Sequence, residues 1–312
     1  MPATSSTANK HYAISRFGLD IDGHDLTDYV KNVEGGMLKS ESVKEPTGSF
    51  NLPSQHLGPK TVEPITMELG LTKTNWLLSM IEKVVNNREH TRLSGHIYHA
   101  DANSKSRFEQ EFSRALITEV ALPAFTGDGK DLAMLKVKMQ PEIATFKTGG
   151  NTDIPMGTGA MQKSWQNNMF RLSLEVNGTK LDCTHITKID AMAVTIGTKA
   201  IQRGHFHLPE YMPTIVKMPK LVVHLPLAHA SSFVDWARSS HGTEGSKADG
   251  ASGYEATGSL ELISPNAQKV LYTISFEGVG PEQISIVKSE GGSATAKTLK
   301  VDMYVTKLRM GS

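Results

Sequence analysis

Twelve histidines, one cysteine and a scatter of serines and acids are the groups that could hold a metal, attack an electrophile or move a proton. His205-x-His207 would set two imidazoles on one face of a strand, the beginning of a zinc site, but no third histidine or carboxylate stands at a spacing that completes it. His96 and His99 are three apart, which on a strand sends them to opposite faces. Asp20, Asp22, Asp25 and Asp28 follow neither the loop spacing nor the closing Glu of a calcium hand and read as a solvated turn. Cys183 has no recognisable motif around it and reads as a small apolar residue or an inert thiol. Being alone, it can form neither an internal disulfide nor a thiolate metal cluster. No Gly-x-Ser-x-Gly elbow presents a serine, and the glycines at 149–159 lack the spacing of a phosphate cradle. These residues predict no catalytic centre, no metal and no cofactor. What remains is chemistry of recognition, and that depends on the elements.

Charge gives no dedicated partner. Lys and Arg number 33, Asp and Glu 32, so nothing suggests a nucleic-acid or anionic-membrane binder as such, although a local patch stays open. The most apolar stretch, around Leu221–Leu227, is broken by His224 and Pro226, whereas a membrane span needs ~20 apolar residues. The start, Met1 to Ser6, has neither the basic cluster nor the apolar core of a secretory signal. A soluble protein folded in a reducing compartment is the expectation. At ~150 residues per domain, 312 residues suggest two domains.

The chain repeats itself. Phe17, Leu19 and Ile21 alternate with Gly18 and Asp20 and run into the turn dipeptide Asp22-Gly23. Leu172, Leu174 and Val176 alternate likewise and run into Asn177-Gly178, an offset of 155 that also maps Leu26 onto Leu181. Asn177-Gly178-Thr179 has the form of a glycosylation sequon, but the turn is the better reading. Pro59-Lys60 and Pro219-Lys220, and Trp76 and Trp236, recur at 160. Gly95 and Gly258 recur at 163, and Phe112 with Phe276 and Leu135–Met139 with Leu299–Met303 at 164. The expectation is a diverged tandem duplication.

Each copy predicts one short helix among strands. Thr74 or Asn75 would cap the first, with Trp76, Leu77, Met80, Ile81 and Val84 at helical spacing. Ser231 or Ser232 would cap a shorter second helix carrying Phe233, Val234, Trp236 and Ala237 and ending near His241. A hairpin follows in each copy, around turns at Asp101–Lys105 and Ser264–Ala267, and then a closing strand. Two longer polar hairpins, around Gly35–Pro46 and Ala191–Gly204, would leave sheet edges that need another sheet or another chain.

The order of Phe17–Gly23, Glu34-Gly35-Gly36, Ile65–Thr72 leading into the Trp76 helix, and the strand Leu135–Met139 resembles the tail tube proteins of contractile-tailed bacteriophages and related contractile injection systems. The likeness covers roughly residues 14–146 and, through the repeat, 170–310. The second copy departs from it, with Ile189-Asp190-Ala191 in place of the Gly-Gly pair and Ala228-His229 where Gly70 lies. The tandem form is itself a departure.

The resemblance implies a mainly β fold: two tandem tail-tube-like barrel or sandwich domains with long hairpins and one helix each. Their expected bounds are 11–146 and 170–312, joined by a linker at 147–169. It further implies a structural, non-catalytic virion protein assembled in the host cytoplasm into rings of approximate sixfold symmetry. If the two repeated domains occupy two ring positions, three chains complete one ring. Its partners would be itself, a sheath and a baseplate, with DNA or a protein effector passing through unread and no membrane insertion. The expected assembly hairpins carry Gly35, Gly36, Leu38, Val43 and Pro46 in one copy and Met192, Val194, Ile196 and Gly204 in the other. Prolines at Leu38 and Val194 together are expected to abolish tubes by removing ladder donors. Three alternatives stay open: a baseplate-proximal or tail-terminating ring of the same fold, a two-domain β module binding carbohydrate or another ligand, and a hydrolase with dispersed catalytic residues.

Overall fold

Both predicted tight turns fold as their residues require. Asp22 and Gly23 have φ angles of 48° and 79°, and Asn177 and Gly178 have 48° and 81°. Two successive positive φ angles make the turn whose twist suits a hairpin, and Asp, Asn and Gly tolerate them best. The computed structural model describes residues 16–45, 54–70, 76–148, 153–154, 165–204, 208–241, 254–264, 269–287 and 297–311. The expected caps Thr74 and Asn75, the His205/His207 pair, Pro46, most of the glycine-rich 149–159 segment and Pro265–Ala267 lie outside those residues.

The first half runs β1 (Arg16–Ile21), β2 (His24–Asp25), β3 (Val30–Glu34), β4 (Leu38–Glu45), β5 (Ser54–Val62), β6 (Ile65–Gly70), α1 (Trp76–Asn87), β7 (Leu93–Ala100), β8 (Ser106–Leu122), β9 (Phe125–Thr126), β10 (Met134–Gln140) and β11 (Ile143–Thr148). The second runs β12 (Phe170–Val176), β13 (Thr179–Lys180), β14 (Lys188–Ile189), β15 (Met192–Ile201), β16 (Glu210–Lys217) and β17 (Leu221–Pro226). After a 3-10 turn come α2 (Ser231–Ser240), β18 (Ala256–Ile263), β19 (Val270–Ile286) and β20 (Thr298–Gly311). The fold is mainly β, with one helix in each half.

Hydrogen bonding orders the first sheet β2-β1-β7-β8-β10-β6-β3 and the second β13-β12-β18-β19-β20-β17-β14, with β9 of the first half added beyond β14. Element for element these are the same path. The irregularities coincide as well. Arg114 and Gly278, 164 apart, both have positive φ, at 57° and 65°. Bulges fall at corresponding places in the β8/β10 and β19/β20 ladders and in the β4/β5 and β15/β16 hairpins.

Pairing corrects the sequence alignment in the middle of each half. Ile65 lies opposite Met139, and Leu221 lies opposite Met303. Because Met303 is 164 beyond Met139, Ile65 corresponds to Leu221, an offset of 156 rather than 160. The same 156 relates Leu57 and Lys60 to Pro213 and Val216, and Ser40 and Ser42 to Ile196 and Thr198, across the two hairpins. The Pro-Lys match was therefore a coincidence. It survived because a four-residue slip in a strand leaves every side chain on its own face. Trp76 and Trp236 are not counterparts either. Trp76 opens α1, half-buried and stacked on His24 at 4.4 Å. Trp236 sits inside α2, buried, donating its indole N–H to the Tyr254 carbonyl at 2.8 Å. The strand β12 has also slid two residues along β18 relative to β1 along β7: Leu19 faces Ile97, but Leu172 faces Leu260. Again the shift is even and the faces hold.

Alternation puts Ile65, Met67 and Leu69 inside in one half and Leu221, Val223 and Leu225 inside in the other. Leu77, Ile81 and Val84 of α1 and Phe233 and Trp236 of α2 close over these sheets. Each buried side chain of this kind contributes roughly 1.5–3 kcal/mol, which is what holds helices too short to stand alone. The expected serine caps do not cap α2. Ala230 holds the N-cap position with no side-chain bond, and the Ser232 hydroxyl accepts from the Asp182 N–H at 3.3 Å instead. The first hairpin turn is held by Asp101, whose Oδ1 accepts from the Asn103 and Lys105 N–H groups while Oδ2 takes two bonds from Arg107. One contiguous apolar core runs through both halves.

A Cβ at Gly178 would meet nothing within 4 Å, so only its φ of 81° resists substitution. Gly178→Ala is expected to cost about 1 kcal/mol of stability, read as a lower urea midpoint with unchanged slope.

Candidate assembly interface

The surface that organises this chain is a seam between its halves. The strand β8 is 17 residues long, whereas β7 beside it has 8 and pairs only as far as Ala115. Beyond that point β8 would show a row of bare N–H and C=O groups, a cost no buried strand sustains. The second half supplies the missing neighbour. Its hairpin strand β15 pairs antiparallel with the far end of β8, Met192 opposite Leu122, Ala193 opposite Ala121, Val194 opposite Val120 and Thr195 opposite Glu119. Met192, Val194 and Ile196 are buried there with Val120 and Leu122. A second, smaller crossing joins Phe125 of β9 to Ile189 of β14.

Charge pins the base of the hairpin. Glu142, with its side chain 5 % exposed, is clasped by Arg92 and by Arg114, whose Nε lies 2.5 Å from Oε2. Both arginines come from the first half. Glu142 Oε1 also accepts the N–H of Tyr211, at 3.1 Å, and Arg92 donates to the Tyr211 carbonyl at 3.0 Å. Glu210 next to it takes Arg114 at 2.8 Å and Arg203 at 2.6 Å. Burial, with Glu142 nearby, raises the Tyr211 hydroxyl above its usual range. Arg114 stands at a backbone angle that costs a non-glycine residue about 1 kcal/mol, and its ion pairs to Glu142 and Glu210 offset that strain.

A third contact lies across the same seam. Asn86 near the end of α1 donates to the Met310 carbonyl at 2.6 Å and accepts the Met310 N–H at 2.8 Å, so one side-chain amide serves as a strand partner for β20. The Tyr272 hydroxyl donates to Glu82 of α1 at 2.9 Å. Burial first, and the Glu82 charge second, hold that hydroxyl protonated far above its ordinary range. Trp165, buried in the segment between the halves, packs on Tyr272 and offers its carbonyl to the Ala133 N–H at 2.7 Å.

The residues singled out from sequence fall in different places. Met192, Val194 and Ile196 lie in the seam, and Gly204 is exposed at the turn beyond β15. Leu38 and Val43 lie on β4, which pairs only with β5 among the described residues and is exposed along most of its length. Gly35 and Gly36 precede it with φ of 88° and 80°, and a Cβ on Gly35 would stand 2.0 Å from the Pro64 carbonyl oxygen. That pair turns the chain out of β3 into the hairpin. Pro46 lies outside the described residues. The ionic cluster had no sequence signal, because its members are spread from Arg92 to Glu210 and each is an ordinary surface residue in its own segment.

Among the described residues, the chemistry-capable side chains singled out from sequence do not converge on one point. No group of three His, Cys, Asp or Glu side chains able to hold a metal occurs among the described residues. His96 bonds Glu109 and His99 bonds Gln110 on separate faces of the sheet. Asp20 and Asp25 accept backbone N–H groups of their own turn, from Gly23 and Thr27. Burial pushes the Cys183 thiol up to about 11. No helix is long and apolar enough to cross a membrane among those residues.

No family model matches this sequence, and no curated protein does. Solved structures do. The sheath–tube complex of an extracellular contractile injection system (PVC) in its extended state aligns at 14 % identity and a TM-score of 0.40, covering 47 % of this chain and 100 % of that one. The tube-terminating cap of the anti-feeding prophage (AFP) aligns at 16 % and 0.41, covering 48 % and 100 %. The AFP baseplate aligns at 14 % and 0.39, covering 46 % and 92 %. Each corresponds in extent to about half of this chain.

Both arginines keep Glu210 as a second carboxylate, 2.8 Å from Arg114 and 3.6 Å from Arg92, so losing the Glu142 charge weakens the cluster without stranding them. Glu142→Gln is expected to lower unfolding free energy by about 1–2 kcal/mol, measured by urea denaturation. With its thiol near 11, Cys183 in the native chain is expected to react with iodoacetamide at pH 8 at least 100-fold more slowly, by order of magnitude, than in the urea-unfolded chain.

Proposed function

We propose that this chain is a structural subunit of a contractile tail or injection-system tube, in which its two halves are diverged copies of one domain and occupy successive positions of a ring. The domains span residues 11–146 and 170–312. One observation carries the reading: a hairpin from one half completes the sheet of the other, while the equivalent hairpin of the first half extends outward with no strand beside it among the described residues. An arrangement of that kind is open at both ends. Repeated head to tail, it either closes into a ring or grows without limit. Closure after three chains places six domains around a bore.

On this reading the work of the protein is to bind, stack and enclose. Its partners are further copies of itself, a surrounding sheath and a baseplate, and its place is the tail of a particle assembled in the host cytoplasm. The passage conveys DNA or a protein effector without reading it. No catalytic step is part of the proposal. Identical strand order in the two halves, with matching bulges and matching positive-φ residues, supports treating them as equivalent ring positions.

Native mass spectrometry and symmetry-free electron microscopy of the purified chain test the proposal together. Masses at three chains, with six lobes of density in one layer around a central hole, are expected. Rings of six chains, a chain bridging two layers, or a protein that stays monomeric at high concentration would overturn it. Copy number per particle then separates a tube-body ring from one that begins or ends the tube.

A further inference from the structure

The seam inside the chain is a template for the seam between chains, and it fixes the second one residue by residue. This inference rests on the ring reading above and specifies its joint. The offsets that relate the halves are 156 through the hairpins and 164 through the long strands, as the bulge positions require. Applied to the internal pairs, they map Val194 onto Leu38 and Val120 onto Ile284. Ala193 and Ala121 map onto Met37 and Ser285, and Leu122 maps onto Ile286. We infer that the beginning of β4 in one copy adds as a strand to the far end of β19 in a second copy, antiparallel, with Leu38 opposite Ile284 and Met37 opposite Ser285.

Two independent features point to that occupant. The first is the edge itself. On the side where β18 lies, β19 is paired only as far as Val279, and from Glu282 to Ile286 no strand occupies that side among the described residues. Ile284 is half-buried against the core where its counterpart Val120 is fully buried, and the apolar residues flanking the pairing are more exposed than their internal counterparts. Leu38 is 46 % exposed against 3 % for Val194, and Ile286 is 60 % exposed against 3 % for Leu122. A long strand end with exposed aliphatic side chains is a surface that invites another strand.

The second feature lies away from the edge. Tyr272 and Met310 are buried beneath α1 at the internal seam. Their counterparts at the 164 offset are Phe108 and Phe146, stacked at 6.1 Å on the first half and only half-buried. An aromatic pair thus waits where a helix lies in the other half, and α2 of the neighbouring copy is the helix in the corresponding place. Strand edge and aromatic pair stand to each other as the strand and helix contacts of the internal seam do, so one neighbour satisfies both.

Cross-linking tests the register. In a Cys183→Ser background, the Leu38→Cys/Ile284→Cys chain is oxidised with copper–phenanthroline, which accepts the two electrons released as two thiols join. Opposed strand positions lie within disulfide reach, whereas a two-residue slip does not. Expected is an interchain ladder ending at three chains, with Leu38→Cys/Ile286→Cys yielding less than a tenth as much. Rings with no link at Leu38/Ile284, or with the slipped pair linking better, would overturn this joint while leaving the ring reading standing. Absence of any oligomer would remove both. A substitution that leaves the monomer intact gives a second readout. Leu38→Asp, at a position exposed in the free chain, is expected to raise the concentration for half-assembly at least tenfold with no change in the monomer's thermal midpoint. Val194→Asp, its internal counterpart, is expected to lower that midpoint. Assembly by Leu38→Asp at the wild-type concentration would overturn the joint.

Discussion

A β-strand longer than its neighbours is an unfinished hydrogen-bonding surface, and the organisation of this chain follows from having two of them. Both β8 and β19 carry 17 residues, about twice the length of the strands that begin the pairing beside them. Water can satisfy an exposed edge, but not the apolar side chains that alternate along it. The first strand is finished inside the chain by β15, and around that junction the sequence places a buried carboxylate held by two arginines, a side-chain amide clipped to a strand edge, and a helix across a tyrosine. The ladder gives the junction its direction, and the ionic cluster ties down the base of the hairpin.

Covalent linkage changes the energetics of such a junction. Two separate domains would have to surrender translational freedom to meet, whereas two halves on one chain meet at an effective concentration set by the connecting segment. Part of that segment is itself docked, Ile154 and Trp165 being buried. The internal junction can therefore rely on modest pieces, such as Ala193 against Ala121, and still remain formed.

How much of this was legible in sequence depends on period. The hairpins at Asp22-Gly23 and Asn177-Gly178, the alternation of buried residues and the helical spacing after Trp76 are local signals and were readable. Alignment of the two halves was readable only at its ends. Between them, two chance landmarks, the Pro-Lys dipeptide and a tryptophan on each helix, agreed with one another at a spacing four residues too long. Alternation could not expose the error, since strands repeat every two residues. Most of the true difference in length falls between α2 and β18, where 15 residues stand against 5 between α1 and β7. Of the interface, Val194 and its neighbours were readable as a hairpin, but not that they meet β8 of the other half. Glu142 was invisible, because its significance comes from Arg92, Arg114 and Tyr211, which only the fold brings to it.

The joining of unlike halves has a bearing on error. Around a ring of identical single domains every junction is the same, so five or seven could close with small distortion at each. In the ring proposed for this chain, junctions would alternate between one formed within a polypeptide, where Val194 meets Val120, and one formed across polypeptides, where Leu38 would meet Ile284. Miscounting by a single domain is then impossible, and the nearest faulty closures differ from the correct one by two. In such a ring, parity written into the covalent chain would guard the bore's diameter more strictly than any fit of side chains.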